Sequence, residues 1–167
     1  MTFKEDLELS LKAQPLQDEI YKGVWPVKEI IRFNRDEDKI LDIRYHIDVE
    51  VRLNNGIAFL GQEKALRYKF ASYNTFTMEF YQDRQVKERG EFFNLGAQFY
   101  LHGYFNEAED GFCKWYLIKV FDFLESLKNN KIETLEAYTK PSSGNASFFY
   151  MPYDRIPRRF IYAKSGG

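Results

Sequence analysis

At 167 residues, with 44% hydrophobic and 29% charged side chains, the chain can form one domain with a real core, and neither disorder nor a membrane protein is indicated. A formal net charge of −1 excludes a globally basic nucleic-acid binder but not a locally basic groove, and the single Cys113 excludes an internal disulfide or a cysteine-based zinc cluster. No apolar run approaches the roughly 20 residues of a membrane span, and Met1–Asp6 lacks the layout of a secretory signal, so a cytoplasmic protein is the expectation.

Residues 1–15 are mixed and polar and end at Pro15, which predicts a loose arm or short helix before a single domain over 16–167. Leu16 to Lys22 reads as helix, closed by Gly23. A second helix is expected from Trp25-Pro26, because proline suits a first helical turn and Val27, Ile30 and Ile31 recur at helical spacing. Asn34 to Asp38 is a polar break. A hairpin then spans about Ile43 to Lys69, its first arm alternating between apolar Ile47, Val49, Val51, Leu53 and polar His46, Asp48, Glu50, Arg52.

Asn74 to Tyr81 predicts a strand with Phe76, Met78 and Phe80 on one face and Thr77, Glu79 and Tyr81 on the other. Gln82 to Arg89 is a charged loop. Glu91 to Tyr100 reads as helix feeding a strand through Leu101 and Phe105. Phe112 to Val120 is a strand, and Asp122 to Lys128 a short helix with Asp122 as a plausible cap. Ile132 to Tyr138 is strand or short helix, Pro141 to Asn145 a loop, Phe148 to Met151 a last strand, and Ile156 to Phe160 a last helical turn. The whole is one domain of mixed α and β content. The 16 Phe and 12 Tyr are mostly core and strand residues on this reading, with a few left to stack on bases.

The hairpin carries the chemistry. Its Asn54-Asn55-Gly56 break tolerates the backbone of a tight turn. A three-residue loop pairs Leu53 with Ile57, sets Asp48 opposite Gln62, and puts Asp48, Gln62 and Lys64 on one face. A two-residue loop would instead oppose Glu63 to Asp48 and turn Gln62 and Lys64 away. In the first register a carboxylate, an amide oxygen and the Glu63 backbone carbonyl can hold a hard cation such as Mg2+, with Mn2+ as substitute. Lys64 beside them can orient or deprotonate a water, or neutralise charge on a phosphate. Glu79 on the next strand is a candidate further carboxylate. Plainer roles stand beside these: Asp48 facing water, Lys64 protecting a strand edge, Glu79 in a cross-strand pair, and His46 and His102 as surface or packing residues. Lys64, Arg67 and Lys69, and Arg155, Arg158 and Arg159, form two basic clusters; Arg67, Lys69, Arg158 and Arg159 are candidate nucleic-acid contacts.

The order of these segments resembles the core of the PD-(D/E)XK nuclease superfamily, closest to its small phage-type members. The resemblance is carried by Trp25-Pro26-Val27, Ile47-Asp48, Asn55-Gly56, Gln62-Glu63-Lys64, the run Phe76 to Glu79, and Gly90 to Tyr100, and it spans about 25–128, with a family-like segment at Ile156-Pro157. It implies a restriction-endonuclease-like α/β (α+β) fold, a mixed central sheet flanked by helices, and Mg2+-dependent hydrolysis of phosphodiesters, with DNA as the expected polymer. Gln62 departs from the usual Asp or Glu two residues before the lysine, so either Glu79 or a helix glutamate at Glu19 or Glu29 compensates, or activity is reduced. The alternatives are an inactive module that binds nucleic acid or protein on the same scaffold, and an accessory protein that dimerises through its aromatic surplus.

Overall fold

A computed structural model describes residues 3–33, 41, 44–129, 135, 137–141 and 144–166. The first helix, α1 (Phe3–Val24), leads into three strands, β1 (Val27–Arg32), β2 (Val49–Leu53) and β3 (Ala58–Leu66). Next come β4 (Thr75–Asp83), the two-residue β5 (Glu88–Arg89) and one turn of helix, α2 (Glu91–Asn94). The chain then forms β6 (Phe99–Phe105), β7 (Phe112–Ile118) and α3 (Val120–Lys128), followed by β8 (Thr139–Pro141), β9 (Ser147–Pro152) and β10 (Ile161–Lys164).

Six strands build a mixed sheet in the order β1-β2-β3-β6-β7-β10, in which β3 and β6 are parallel and the other neighbours antiparallel. A second, antiparallel sheet has the order β5-β4-β9-β8. The mixed α and β domain expected from the sequence is what the chain forms.

Both faces of the six-stranded sheet are covered. On one face α1 presses Tyr21, with Trp25 just after its end, onto Val49, Val51, Leu101 and Leu117, and presses Leu9 and Ala13 onto Phe105. On the other face Tyr100, Tyr104, Tyr116 and Ile118 meet Phe76, Met78, Phe80 and Phe149 of the second sheet, and Phe123 and Leu124 of α3. The aromatic surplus is therefore largely core. Edge-to-face pairs such as Phe76–Tyr100, with ring centres 5.3 Å apart, each add about 0.5–1.5 kcal/mol beyond the area they bury.

Several sequence expectations are corrected. Pro15 does not end an arm: it lies inside α1 and is exposed, while Ala13 and Gln17 on either side are buried. The burial of neighbouring turns outweighs the one backbone hydrogen bond that proline removes. Trp25-Pro26 does not start a helix. Val27–Arg32 is an edge strand whose β-branched residues suit the antiparallel ladder with β2, with an irregularity between Val27 and Glu29. The helix expected over Glu91 to Tyr100 stops at Asn94, because Leu95 turns extended and Gly96 donates its N–H to the Tyr45 carbonyl at 2.7 Å. Asp122 lies in the first turn of α3, whose N-cap is Lys119. Tyr81 does not share a face with Thr77 and Glu79 in a regular strand: a register shift between Glu79 and Tyr81 leaves Tyr81 buried. The element expected at 132–138 lies largely outside the described residues. The edge strand β10 was not anticipated.

Candidate active site

The hairpin folds in the register that the three-residue loop requires. Gly56 takes a φ of 84°, Ile57 accepts the Leu53 N–H at 2.8 Å, and Asn55 Oδ1 accepts the Ile57 N–H at 3.1 Å. The ladder pairs Val51 with Phe59 and Val49 with Gly61. Asp48 then donates its N–H to the Gly61 carbonyl at 2.9 Å, and its Oδ2 accepts the Glu63 N–H at 2.8 Å. The Asp48 carboxylate thus caps the β3 edge where β2 begins. A residue's C=O leaves a strand on the same edge as its N–H, so the Glu63 carbonyl is directed to Asp48's edge as well.

Parallel pairing with β6 extends the row. Gln62 lies beside Tyr100, and Lys64 beside His102. Period two therefore places Asp48, Gln62, Tyr100, Lys64 and His102 on the sheet face opposite α1. Glu63 points the other way, into a buried ion network in which Arg32 bonds it at 3.0 Å and Asp18 of α1 at 2.7 Å. Burial pushes the Glu63 carboxyl up to about 7, against the pull of Arg32.

The second sheet and α2 close over this face. Lys64 Nζ donates to the Thr77 carbonyl at 3.4 Å and Oγ1 at 3.3 Å, and among the described residues it forms no ion pair. Burial lowers its proton affinity; the carboxylates of Glu91 and Glu79 partly restore it. Burial also raises the Glu79 carboxyl, and neighbouring Glu91 raises it further. Glu91 is buried, and its Oε2 accepts the Glu79 N–H at 3.4 Å. Gly90 makes that approach possible, since a Cβ there would stand 2.8 Å from Glu79 Cγ and 2.9 Å from its carbonyl oxygen. Tyr100 is held well above the usual phenol range by burial, then by the charges of Glu91 and Asp48, so its hydroxyl is a donor.

Two buried oxygens here have no hydrogen-bond partner among the described residues: Gln62 Oε1 and Glu91 Oε1. His102 bonds the Tyr153 hydroxyl through Nδ1 and leaves Nε2 unpaired; burial, then the charge of Lys64, holds it well below the ordinary imidazole range. It is a neutral packing residue.

The expected residues divide clearly. Asp48, Gln62 and Lys64 share one sheet face, the Glu63 carbonyl is directed to Asp48's edge, and the Glu79 carboxyl acts on Lys64 through its charge. Glu19 does not join them: it is exposed and paired with Lys22 at 2.9 Å. Nor does Glu29, a strand residue paired with Arg52 at 3.1 Å. Glu91 and Tyr100 are the site residues that sequence reasoning missed. Gly90 ahead of Glu91 was the available signal for one; for Tyr100 there was none, since a parallel register is not written locally. Arg67 is bound to Glu109 at 2.6 Å, and Lys69 lies over the Phe70 ring at 5.1 Å. Arg158 and Arg159 belong to a 3-10 turn, Arg158 beside a separate cavity and Arg159 over Phe160.

Among the described residues no three His, Cys, Asp or Glu side chains gather closely enough to form a preformed metal cluster. The oxygens on this face and edge are one carboxylate, one amide and one backbone carbonyl, which are chemically hard. No helix among the described residues is long and apolar enough to cross a membrane. Compared with known proteins, the chain matches no family model and no curated protein.

Proposed function

We propose that this protein is a metal-dependent phosphodiesterase acting on nucleic acid, DNA being the expected polymer. The observation that carries the reading is the buried, partnerless Gln62 Oε1, placed in register between the Asp48 and Tyr100 rows. A buried acceptor without a donor costs about 1–3 kcal/mol, which a bound cation would recover. Asp48, Gln62 and the Glu63 carbonyl would hold Mg2+ or Mn2+, both of which favour oxygen ligands. When bound, such an ion polarises a phosphoryl oxygen and acidifies a water.

The chain's own groups do the rest. As an ammonium Lys64 meets the phosphate; in its neutral form, which burial favours, Nζ would instead accept a proton from the attacking water. Tyr100 O–H donates toward charge developing between Asp48 and Glu91. Glu79, its carboxyl raised by burial and by Glu91, adds negative charge that acts on Lys64. The Thr77 contacts and the second sheet shield Lys64 in part from solvent, and the reduced screening strengthens each of these interactions.

Of plasmid and single-stranded DNA incubated with Mg2+ or Mn2+, at least one should be cleaved by the parent, and at least about 100-fold more slowly by Asp48→Asn and Lys64→Ala. Calorimetric Mn2+ binding, lost in Asp48→Asn, tests the ligand set without turnover. No cleavage by the parent, or equal cleavage by the variants, would remove the hydrolase reading. The neutral Gln62 favours one second reading, a non-catalytic module that binds nucleic acid. Salt-dependent binding without cleavage would identify it.

A further inference from the structure

Past Lys64 the same strand edge opens into a cavity of about 830 Å3, within the roughly 300–1,000 Å3 of small-ligand pockets. Among the described residues no strand pairs with β3 beyond Gly61 on the β2 side, and Glu63 to Leu66 line this space, the Glu63 N–H being held by Asp48. Lys64, Thr77 and Phe148 form its inner end, where the Lys64 ammonium stands 5.4 Å from the Phe148 ring centre. Phe70 and Tyr73 line it too, their rings 6.3 Å apart, and Tyr73 is 68% exposed.

This wall follows directly on β3. From Arg67 to Tyr73 the sequence interleaves Arg67 and Lys69 with Tyr68, Phe70 and Tyr73. Lys114 adds an ammonium that donates to the Ala71 carbonyl at 3.4 Å. Arg67 is largely offset by Glu109, but Lys64 and Lys69 form no ion pair among the described residues. At this rim the rings of Phe70, Tyr73 and Phe148 therefore stand with one lining cation, Lys64, that forms no ion pair among the described residues. A ligand complementary to that rim carries a flat π face for Tyr73 and an anion for Lys64. A nucleotide has both, but within a duplex its base is stacked and cannot offer a face.

We propose that this cavity receives an unpaired base of single-stranded nucleic acid, stacked on Tyr73, with the adjoining phosphate turned to Lys64. The proposal rests on reading the Asp48–Gln62–Lys64 site as a phosphodiesterase and adds the form of its substrate. Stacking on an aromatic side chain tolerates any base, so strandedness rather than sequence is what the cavity selects.

Fluorescence anisotropy with a fluorescein-labelled oligothymidylate and a matched hairpin duplex, in EDTA to prevent cleavage, tests it. The parent should bind the single strand more tightly than the duplex. Tyr73→Ala should weaken single-strand binding by about tenfold and leave duplex binding unchanged, while Tyr73→Phe should bind like the parent. Tyr73 is exposed, so both variants should fold, which circular dichroism checks. Single-strand affinity unchanged in Tyr73→Ala, or equal affinity of the parent for strand and duplex, overturns the proposal. Cleavage with Mn2+ separates it from the catalytic reading. Tyr73-dependent binding without cleavage by the parent supports the cavity and removes the hydrolase. Cleavage of single strands undiminished in Tyr73→Ala keeps the hydrolase and removes the cavity.

Discussion

Lys64 sits where a charge is costly: burial lowers its proton affinity, and among the described residues its nitrogen hydrogen-bonds only to neutral oxygens of Thr77. A residue kept in such a place for stability would be hard to explain, so removing it should help the fold. Lys64→Met is expected to raise unfolding free energy by about 1–2 kcal/mol in urea titration while abolishing cleavage. A loss of stability would mean that the ammonium is structural. Gln62 makes the converse case. Gln62→Glu places a second buried carboxylate beside Asp48, so the metal-free protein should lose about 1–3 kcal/mol and regain it on titration with Mn2+. A thermal shift assay with and without Mn2+ reads both changes. Glu63 sets a pH dependence. Its folded form holds the proton up to about 7 against an ordinary 4.5, so between those values the folded state binds more protons and stability falls as pH rises. His102, held well below its ordinary 6.5, acts in the opposite direction over part of that window. Glu63→Gln should therefore make the slope of stability against pH between about 4.5 and 7 more positive than the parent's. Identical slopes in the two proteins would show that Glu63 titrates normally.

Elements, rather than single side chains, bring the carboxylates over Lys64. The turn from β5 into α2 carries Glu91 inward only because Gly90 allows the chain to pass against Glu79. Its φ of −95° is open to any residue, so the requirement is for space and not for backbone freedom. Gly90→Ala should cost about 1–3 kcal/mol and lower cleavage more than folding, as Glu91 and Glu79 are forced apart. In α1, Pro15 is tolerated because Leu9, Ala13 and Tyr21 hold the helix to the sheet on both sides. Pro15→Ala restores a backbone donor at an exposed position and should raise the melting temperature. The hairpin differs from both. Its loop residues select the register directly, which is why the Asp48–Gln62 pairing was legible from Asn54-Asn55-Gly56 and the alternation around it. The helix read into Val27–Arg32 failed for a comparable reason: six residues with apolar positions at 27, 30 and 31 satisfy either period, and only β2 alongside selects the strand.

At the level of the whole molecule, the two sheets share one interior. Phe76 and Phe149 of the second sheet pack with Tyr100 and Ile118 of the first, on the face opposite Trp25 and Trp115. If this interior makes one cooperative unit, Phe76→Ala should lower the urea midpoint reported by tryptophan fluorescence, at a cost of about 3–5 kcal/mol and with an unchanged slope. A tryptophan transition left where it was would show that the sheets unfold separately. The site lies at the seam between them, so its geometry depends on both.

Composition, alternation and turn chemistry were enough for one α and β domain, an aromatic core and the face shared by Asp48, Gln62 and Lys64, because each is decided within a few residues. Long-range contact decided the rest: the parallel register that brings Tyr100 beside Gln62, the second sheet that buries Lys64, and the turn that delivers Glu91. Those pairings join segments tens of residues apart, and their free energy comes from surfaces that meet only once the chain has folded.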